Sequence, residues 1–430
     1  MLGSSHGDTF ASATNVIVVG AGIVGVATAL NLLRAGRSVT LIDRQAPGKG
    51  TSFGSGGILA SSSIVPLTIP GLIRKAPGML VKSNGPLYLR WSYLLRLMPW
   101  LLHYLQHCRA DETRRIATAL VPLVADSLDE HRRLAKGTAA ENRIHSKAYA
   151  VVYRDRAAFA ADAFAWYLRK ENGITWRTVE GEAVAELEPA LNSAYRYLAI
   201  FDHQHGTIDE PGEYIKDLAR AFVAEGGCLE QREVKALIRN ADGRVALCTD
   251  GQNLEADHII IATGAWSGRL LASIGVNIPL ESQRGYHIEL LNPSTTINNA
   301  MLLADAKCVV TTMSGKLRLA GLLEFGGLDA KPSQMPIRTL MTLISRMFPK
   351  LTFEQHTEWM GHRPALPDSL PVIGAVPGYS GLLVAFGHHH IGITSGPKTG
   401  RLMANLITGR QSQLDMSPYQ VSRFDSASLC

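Results

Sequence analysis

Asn15-Val16-Ile17-Val18-Val19-Gly20-Ala21-Gly22-Ile23-Val24-Gly25, continued by Val39-Thr40-Leu41-Ile42-Asp43, is the stretch that decides the fold. The unbroken β-branched run over residues 15–20 predicts a buried strand. Residues 22–35 are apolar along their length and predict a helix, and residues 38–42 predict the next strand. The glycines match G-x-G-x-x-G at the junction of strand and helix. Gly20 permits the tight turn, Gly22 lets the backbone approach a pyrophosphate, and Gly25 lets the helix pack closely on the strand. Free amides at the helix start then hold the phosphates. Asp43 closes the second strand, where a carboxylate accepts ribose hydroxyls and repels a 2′-phosphate, which argues against NADP. This unit binds a dinucleotide, and by itself it does not separate FAD from NAD.

Three further segments lean towards FAD. Thr51-Ser52-Phe53-Gly54-Ser55-Gly56-Gly57 is a small polar loop of a size that suits backbone approach to a pyrophosphate or flavin ring. Ile259-Ile260-Ile261-Ala262-Thr263-Gly264-Ala265-Trp266-Ser267 is an apolar strand ending in small residues before a helix. Gly374 and Ala385-Phe386-Gly387-His388 again put glycines at strand ends ahead of a helix, whose N-terminus from Thr394 stabilises negative charge on a flavin.

The rest of the chain bounds the answer. At 430 residues and 46% hydrophobic content there is room for two domains. Five cysteines, Cys108, Cys228, Cys248, Cys308 and Cys430, show no C-x-x-C spacing, which argues against zinc or a disulfide framework and suits a reducing compartment. No charged stretch followed by an apolar run opens the chain, so no signal peptide is expected and a cytoplasmic location is. Between residues 71 and 150 there are 13 Lys and Arg against 6 Asp and Glu, while the whole chain carries a net charge of +6. No aromatic-basic motif accompanies that excess, so nucleic acid is a poor partner. An anionic membrane surface fits better, with residues 85–107 lying in the interface through Trp91, Trp100 and the leucines. Arg90, Arg96 and Pro99 break this stretch too often for a spanning helix. The ordinary alternative is a solvated basic face and a helix packed on the protein.

Coarse patterning predicts one or two helices over 111–136 and a strand over 148–153 followed by a helix over 157–170. Further strands are expected near 198–201, 234–239, 244–249, 258–262, 283–290, 317–320 and 381–386. Helices are expected over 214–225, 336–348 and about 394–406, and Asp250-Gly251 is read as a turn joining the strands at 244–249 and 258–262. The expected fold class is α/β, a Rossmann-type FAD-binding domain built from discontinuous segments plus an inserted α+β substrate domain with a mixed sheet. Its segments are 14–82, 198–275 and 355–412 for the first domain, 83–197 and 276–354 for the second, with tails at 1–13 and 413–430.

Several motifs then carry a family resemblance along nearly the whole chain from Asn15. They are GAGIVGV at 20–26, VTLID at 39–43, SFGSGG at 52–57, ELEPAL at 186–191, RGYHI at 284–288, GHRPALPDSLPVIG at 361–374 and AFGHHHIGIT at 385–394. Together they resemble the D-amino acid oxidase-like flavoproteins, of the D-amino acid dehydrogenase and glycine/sarcosine oxidase type, with a glyphosate oxidoreductase-like branch most similar. The resemblance implies bound FAD and oxidation of a small amino acid at its carbon–nitrogen bond to an imine that water hydrolyses. In the dehydrogenase branch it implies a quinone or other electron acceptor, and with it peripheral contact on the inner face of the membrane through 71–107. Two departures stand out. Ser55-Gly56 replaces a frequent Asn-Ala, and no cysteine near 387–392 supports a covalent flavin link.

The candidate cofactor contacts are Gly20, Gly22, Ile23, Val24 and Gly25, then Asp43 and Arg44, then Ser52, Gly56, Gly57 and Ile58. Val234, Thr263, Gly264, Trp266 and Arg363 follow, with Gly387, His388, His390, Ile391, Gly392, Ile393 and Thr394 at the end. A fixed guanidinium suits a substrate carboxylate through bidentate bonds, so Arg284, Arg318 and Arg363 are candidates, each equally able to form a structural ion pair. Tyr286 shares a strand face with Arg284. His388 and His390 are placed beside the flavin, where an imidazole tunes its electronics. No metal is expected, because consecutive strand histidines point to opposite faces and lack an acidic or thiol partner. D-amino acids, cyclic imino acids and N-substituted glycines with oxygen as acceptor remain open as substrates. An NAD-dependent dehydrogenase and a flavin-binding redox subunit without its own substrate remain competing readings.

Overall fold

The structure, a computed structural model, describes residues 14–71 and 85–424. The expected tail at 1–13, the chain end with Cys430, and residues 72–84 of the basic stretch lie outside the described residues.

The opening run behaves as its pattern requires. Asn15–Val19 is a central strand, flanked in parallel by Ser38–Asp43 and His258–Ile261, with Val18 in register with Leu41 and Ile260. Helices cover one face of this sheet, burying Val16, Val18, Leu41 and Ile260, and a three-stranded sheet over residues 234–254 covers the other, burying Ile17, Val19 and Ile261 against Leu237, Val245 and Leu247. Cys228–Gln231 and Leu382–Phe386 extend the sheet in parallel, and Val372–Ala375 closes one edge antiparallel. Three distant pieces of chain therefore build one sheet. The helices Ile23–Arg34 and Gly392–Thr408 pack against each other so closely that a Cβ on Gly400 would lie 2.5 Å from the Ala27 carbonyl carbon.

The second layer is a nine-stranded mixed sheet. Its order is Gln355–Ala365, Glu281–Leu291, Lys316–Phe325, Cys308–Met313, Ala300–Leu303, Tyr149–Tyr153, Tyr197–Phe201 and Arg177–Glu180, with Leu87–Leu89 added beside Lys316–Phe325. Gln334–Met347 packs its apolar stripe, including Leu340, Ile344 and Met347, on one face of this sheet. The other face looks towards the dinucleotide sheet.

Several expectations change at this level. Tyr197–Phe201 and Gln355–Ala365, read from sequence as parts of the dinucleotide unit, pair inside the nine-stranded sheet instead. The helices Ala110–Val124 and Ser127–Ala135, assigned to the substrate domain, bury Ile116, Leu120, Leu123 and Leu134 in one core with Val16, Val18 and Leu30. The turn at Asp250-Gly251 joins Val245–Thr249 to the short strand Asn253–Leu254, not to His258–Ile261, which enters the parallel sheet. Alternation of apolar residues marks a strand but carries nothing about its partner, and all these differences are differences of partner. The helix expected over 157–170 is two, Arg156–Ala160 and Ala163–Glu171, broken at Ala161-Asp162.

Candidate active site

The end of the first strand sets the site. Gly20 has φ +114°, and a Cβ there would sit 2.4 Å from the Ala262 carbonyl oxygen. A Cβ on Gly25 would lie 1.7 Å from the Gly20 carbonyl oxygen, so the helix start and the strand end touch backbone to backbone. Asp43 at the neighbouring strand end accepts from the Ala21 amide at 2.6 Å and from the Gln45 amide at 2.9 Å. Ser52 Oγ accepts from the Ile23 amide at 3.2 Å and so docks the Thr51–Gly54 turn on the helix start. The Arg44 guanidinium lies 4.5 Å from the centre of the Trp266 ring.

A cavity of about 1270 Å³ starts between these groups and runs between the two sheets to His388 and Thr394. Its shape and donors fit FAD: a glycine cradle that any side chain would fill, a strand-end carboxylate at one end, and the helix start at Gly392 at the other. Most of the expected cofactor contacts line it, from Gly20, Gly22, Ile23 and Val24 through Asp43, Arg44, Ser52, Gly56 and Ile58 to Val234, Thr263, Gly264 and Trp266. At the far end Arg363, His388, His390, Gly392, Ile393 and Thr394 line it too. Four do not. Gly25 lies under Gly20, Gly57 abuts the Ile208 carbonyl, Gly387 abuts Leu366, and Ile391 points into the core. These four shape the wall without facing the cavity.

The arginines separate sharply. Arg284 is fully buried and bonded to Glu324 at 3.1 Å, to the Gly327 carbonyl at 3.0 Å and to the Ala330 carbonyl, while Tyr286 donates to the same Glu324. Arg318 pairs with Glu289 and donates to the Phe53 and Ser55 carbonyls. All three side chains sit outside the cavity, and the expectation that Arg284, Tyr286 or Arg318 faces substrate is corrected. On the strand Glu281–Leu291 it is the alternate positions, Gln283 and Gly285, that line the cavity.

Arg363 is different. It lies flat across Gly285, where a Cβ would be 2.3 Å from its Cζ, and donates to the Leu322 carbonyl at 2.8 Å and the Gly321 carbonyl at 3.3 Å. No carboxylate among the described residues forms an ion pair with it, and burial pushes its pKa down to about 10. The glycine of RGYHI is the sequence signal for this arrangement, and it becomes readable only once the two strands are known to be neighbours. Gln283, buried with its Oε1 unpartnered, is a further cavity residue that the sequence reading missed.

The histidines also differ from expectation. The strand ends at Phe386 and His389–Ile391 form a 3-10 turn, so His388, His389 and His390 all reach the cavity wall. His388 Nε2 is 3.0 Å from Thr399 Oγ1, and His389 Nε2 accepts from the Leu366 amide at 2.9 Å. Burial lowers the pKa of His388 to about 3 and that of His389 to about 4, so these two imidazoles stand neutral, while His390 is exposed.

The pattern of the DAO family, FAD dependent oxidoreductase, matches residues 15–406. The chain belongs to this family. The enzyme is 36% identical to a D-amino-acid oxidase of Bradyrhizobium diazoefficiens, over 95% of this chain and 99% of that protein. It is 29% identical to a D-amino acid dehydrogenase of Paramagnetospirillum magneticum, over 96% and 99%. Among solved structures, glycine oxidase from Geobacillus kaustophilus superposes with a TM-score of 0.70 at 23% identity, over 95% of this chain and 99% of that one. L-proline dehydrogenase from P. horikoshii superposes with a TM-score of 0.72 at 20% identity, over 96% and 98%, so these two structures speak for the shared fold alone.

Two outcomes follow from these contacts. Glu324→Ala leaves Arg284 buried without its counter-ion, at a cost of about 3–5 kcal/mol; unfolding in urea should show the loss, and an unchanged midpoint would contradict the pairing. His389 and His388 each take up a proton on unfolding, so their stabilisation is complete above about pH 6.5 and is lost as the pH falls towards about 4 and about 3. Thermal unfolding should therefore show Tm dropping over that acidic range, and a flat Tm would contradict neutral burial.

Proposed function

We propose that the enzyme oxidises the carbon–nitrogen bond of a small amino acid of D configuration, or of a cyclic imino acid, to the imine. Water then converts an acyclic imine to the keto acid and ammonia. The observation that carries this reading is Arg363, a guanidinium that faces the cavity with no acidic partner. A substrate carboxylate supplies the missing charge through paired N–H···O bonds. The carbonyls of Leu322 and Gly321 hold the guanidinium in place, so little ordering is left for binding. When bound, FAD accepts a hydride from Cα at its N5. Val151, Leu302, Val309 and Ala320 floor the cavity with apolar groups, which keep water from the reacting carbon. The names of the D-amino-acid oxidase and dehydrogenase relatives support the same reading.

A quinone in an anionic bilayer is the electron acceptor we favour. Trp91, Leu95, Met98 and Leu102 are exposed at spacings of four, three and four, and Leu95 is 86% exposed. They form a single stripe on and just before the helix Leu94–Gln106. From Gly85 to Ala110 the sequence has no Asp or Glu, while Arg96 and Arg109 are exposed. An apolar stripe beside cations suits an anionic lipid surface. The opposite face of the helix, through Trp100, Leu101, Tyr104 and Leu105, lines the cavity. No helix among the described residues is long and apolar enough to cross a membrane.

The FAD-loaded protein, mixed without oxygen with D-amino acids, their L-enantiomers, D-proline and sarcosine, should lose its oxidised-flavin absorbance with the D-series. Bleaching by sarcosine alone would favour N-substituted glycines, and no bleaching at all would favour a redox subunit. Arg363→Met should lower kcat/KM by at least ~100-fold, two charge-assisted hydrogen bonds being lost. For the membrane contact, vesicles of phosphatidylcholine with phosphatidylglycerol should co-sediment the protein, and Leu95→Glu with Leu102→Glu should abolish this. Equal sedimentation of both proteins would remove the helix from the interface.

A further inference from the structure

A second guanidinium faces the same cavity from the other end of the nine-stranded sheet. Arg169 lies on the helix Ala163–Glu171, with its Cζ 4.6 Å from the centre of the Trp166 ring and 5.9 Å from that of Phe201. Its hydrogen bonds are long: Nε to the Ser62 carbonyl and Nη1 to the Ala165 carbonyl, both at 3.4 Å. A guanidinium carries five N–H donors, so most of its capacity is open. No carboxylate among the described residues forms an ion pair with it, and burial lowers its pKa. Asp162 lines the same end of the cavity, but it accepts from the Tyr153 hydroxyl at 2.9 Å and makes no ion pair with Arg169. Lys307 lines the cavity as well.

The floor between the two guanidiniums is apolar, and the Gly56 backbone packs against it at Val309 and Ala320. Ala320, Val309, Leu302 and Val151 stand in register on four successive strands, and all four line the cavity. Arg363 reaches the first of these strands, through its bonds to Gly321 and Leu322. Tyr149 and Tyr153, which line the cavity on the last strand, stand beside Arg169. Three interstrand steps of ~4.8 Å make the floor roughly 14 Å wide. An amino acid held by its α-carboxylate at Arg363 would lay its side chain along this floor and present its end to Arg169.

We infer that Arg169 is a second anion subsite, and that the enzyme takes amino acids whose extended, mainly apolar side chain ends in a carboxylate or a comparable anion. The inference rests on the reading of Arg363 as the α-carboxylate site. Arg169 is then the specificity-determining residue at the distal end, and it takes no part in the chemistry at Cα.

The test is binding of unreactive carboxylates to the FAD-loaded enzyme by calorimetry. Dicarboxylates from glutarate to suberate are each compared with the monocarboxylate of equal chain length. One chain length should bind at least ~10-fold more tightly as the dicarboxylate, the size expected of a charge-assisted contact. Arg169→Met should erase that preference and leave monocarboxylate affinity unchanged, and Arg169→Lys should retain part of it. The same ratio should appear in kcat/KM for D-2-aminoadipate against D-norleucine. A preference that is absent from the wild type, or that survives in Arg169→Met, overturns the subsite while leaving the Arg363 reading intact. Failure of every monocarboxylate to bind overturns both.

Discussion

The structure depends on one close approach. Where the first strand passes into the first helix, the position of Gly25 allows no atom beyond Cα, because a Cβ would overlap the Gly20 carbonyl oxygen. That contact brings the helix start level with the strand end and aims its free amides into the cleft. Ala262 on the adjacent strand closes on Gly20 from the other side. The strand end, the Asp43 carboxylate and the docked Thr51–Gly54 turn are all placed relative to this turn, and the cavity begins there.

Charge pairing sorts the buried arginines by role. Taking a guanidinium out of water is costly unless a carboxylate accompanies it. Arg284 and Arg318 have theirs in Glu324 and Glu289, and both tie distant chain segments together. Arg318 also braces the Phe53–Ser55 backbone that walls the cavity, so it supports the site from behind. Arg363 has only backbone carbonyls as hydrogen-bond partners, Arg169 has backbone carbonyls and aromatic rings with Asp162 nearby but not ion-paired, and both open onto the cavity. A positive charge left without an internal partner is expensive to keep, which singles out both residues as candidates for function.

The helix Leu94–Gln106 joins the cavity to the exterior. One face packs Leu97, Trp100 and Tyr104 against Phe325 and Ala365, and the other leaves Leu95 and Leu102 in solvent. A helix with apolar residues on both faces has two surfaces to cover, and the protein covers one. Its inner residues Trp100 and Tyr104 line the cavity, so one element joins the exposed stripe to the cavity wall.

The sequence by itself determined the dinucleotide unit, because a run of β-branched residues, three spaced glycines and a terminal acid act locally, within one strand–turn–helix–strand. It also marked the histidine segment as a candidate for the site, since Gly387 stands at a strand end ahead of a helix. It left Arg284, Arg318 and Arg363 equivalent, because ion pairing depends on partners such as Glu324 and Glu289, 40 and 29 residues away. It assigned residues 198–201 and 355–365 to the dinucleotide unit, whereas they pair in the nine-stranded sheet, because strand partnership is a long-range property that alternation does not encode. Arg169 had no local signal at all. Only the tertiary structure sets its helix against the sheet face that Arg363 reaches from the other end, and only there do two cations become one cavity's opposite walls.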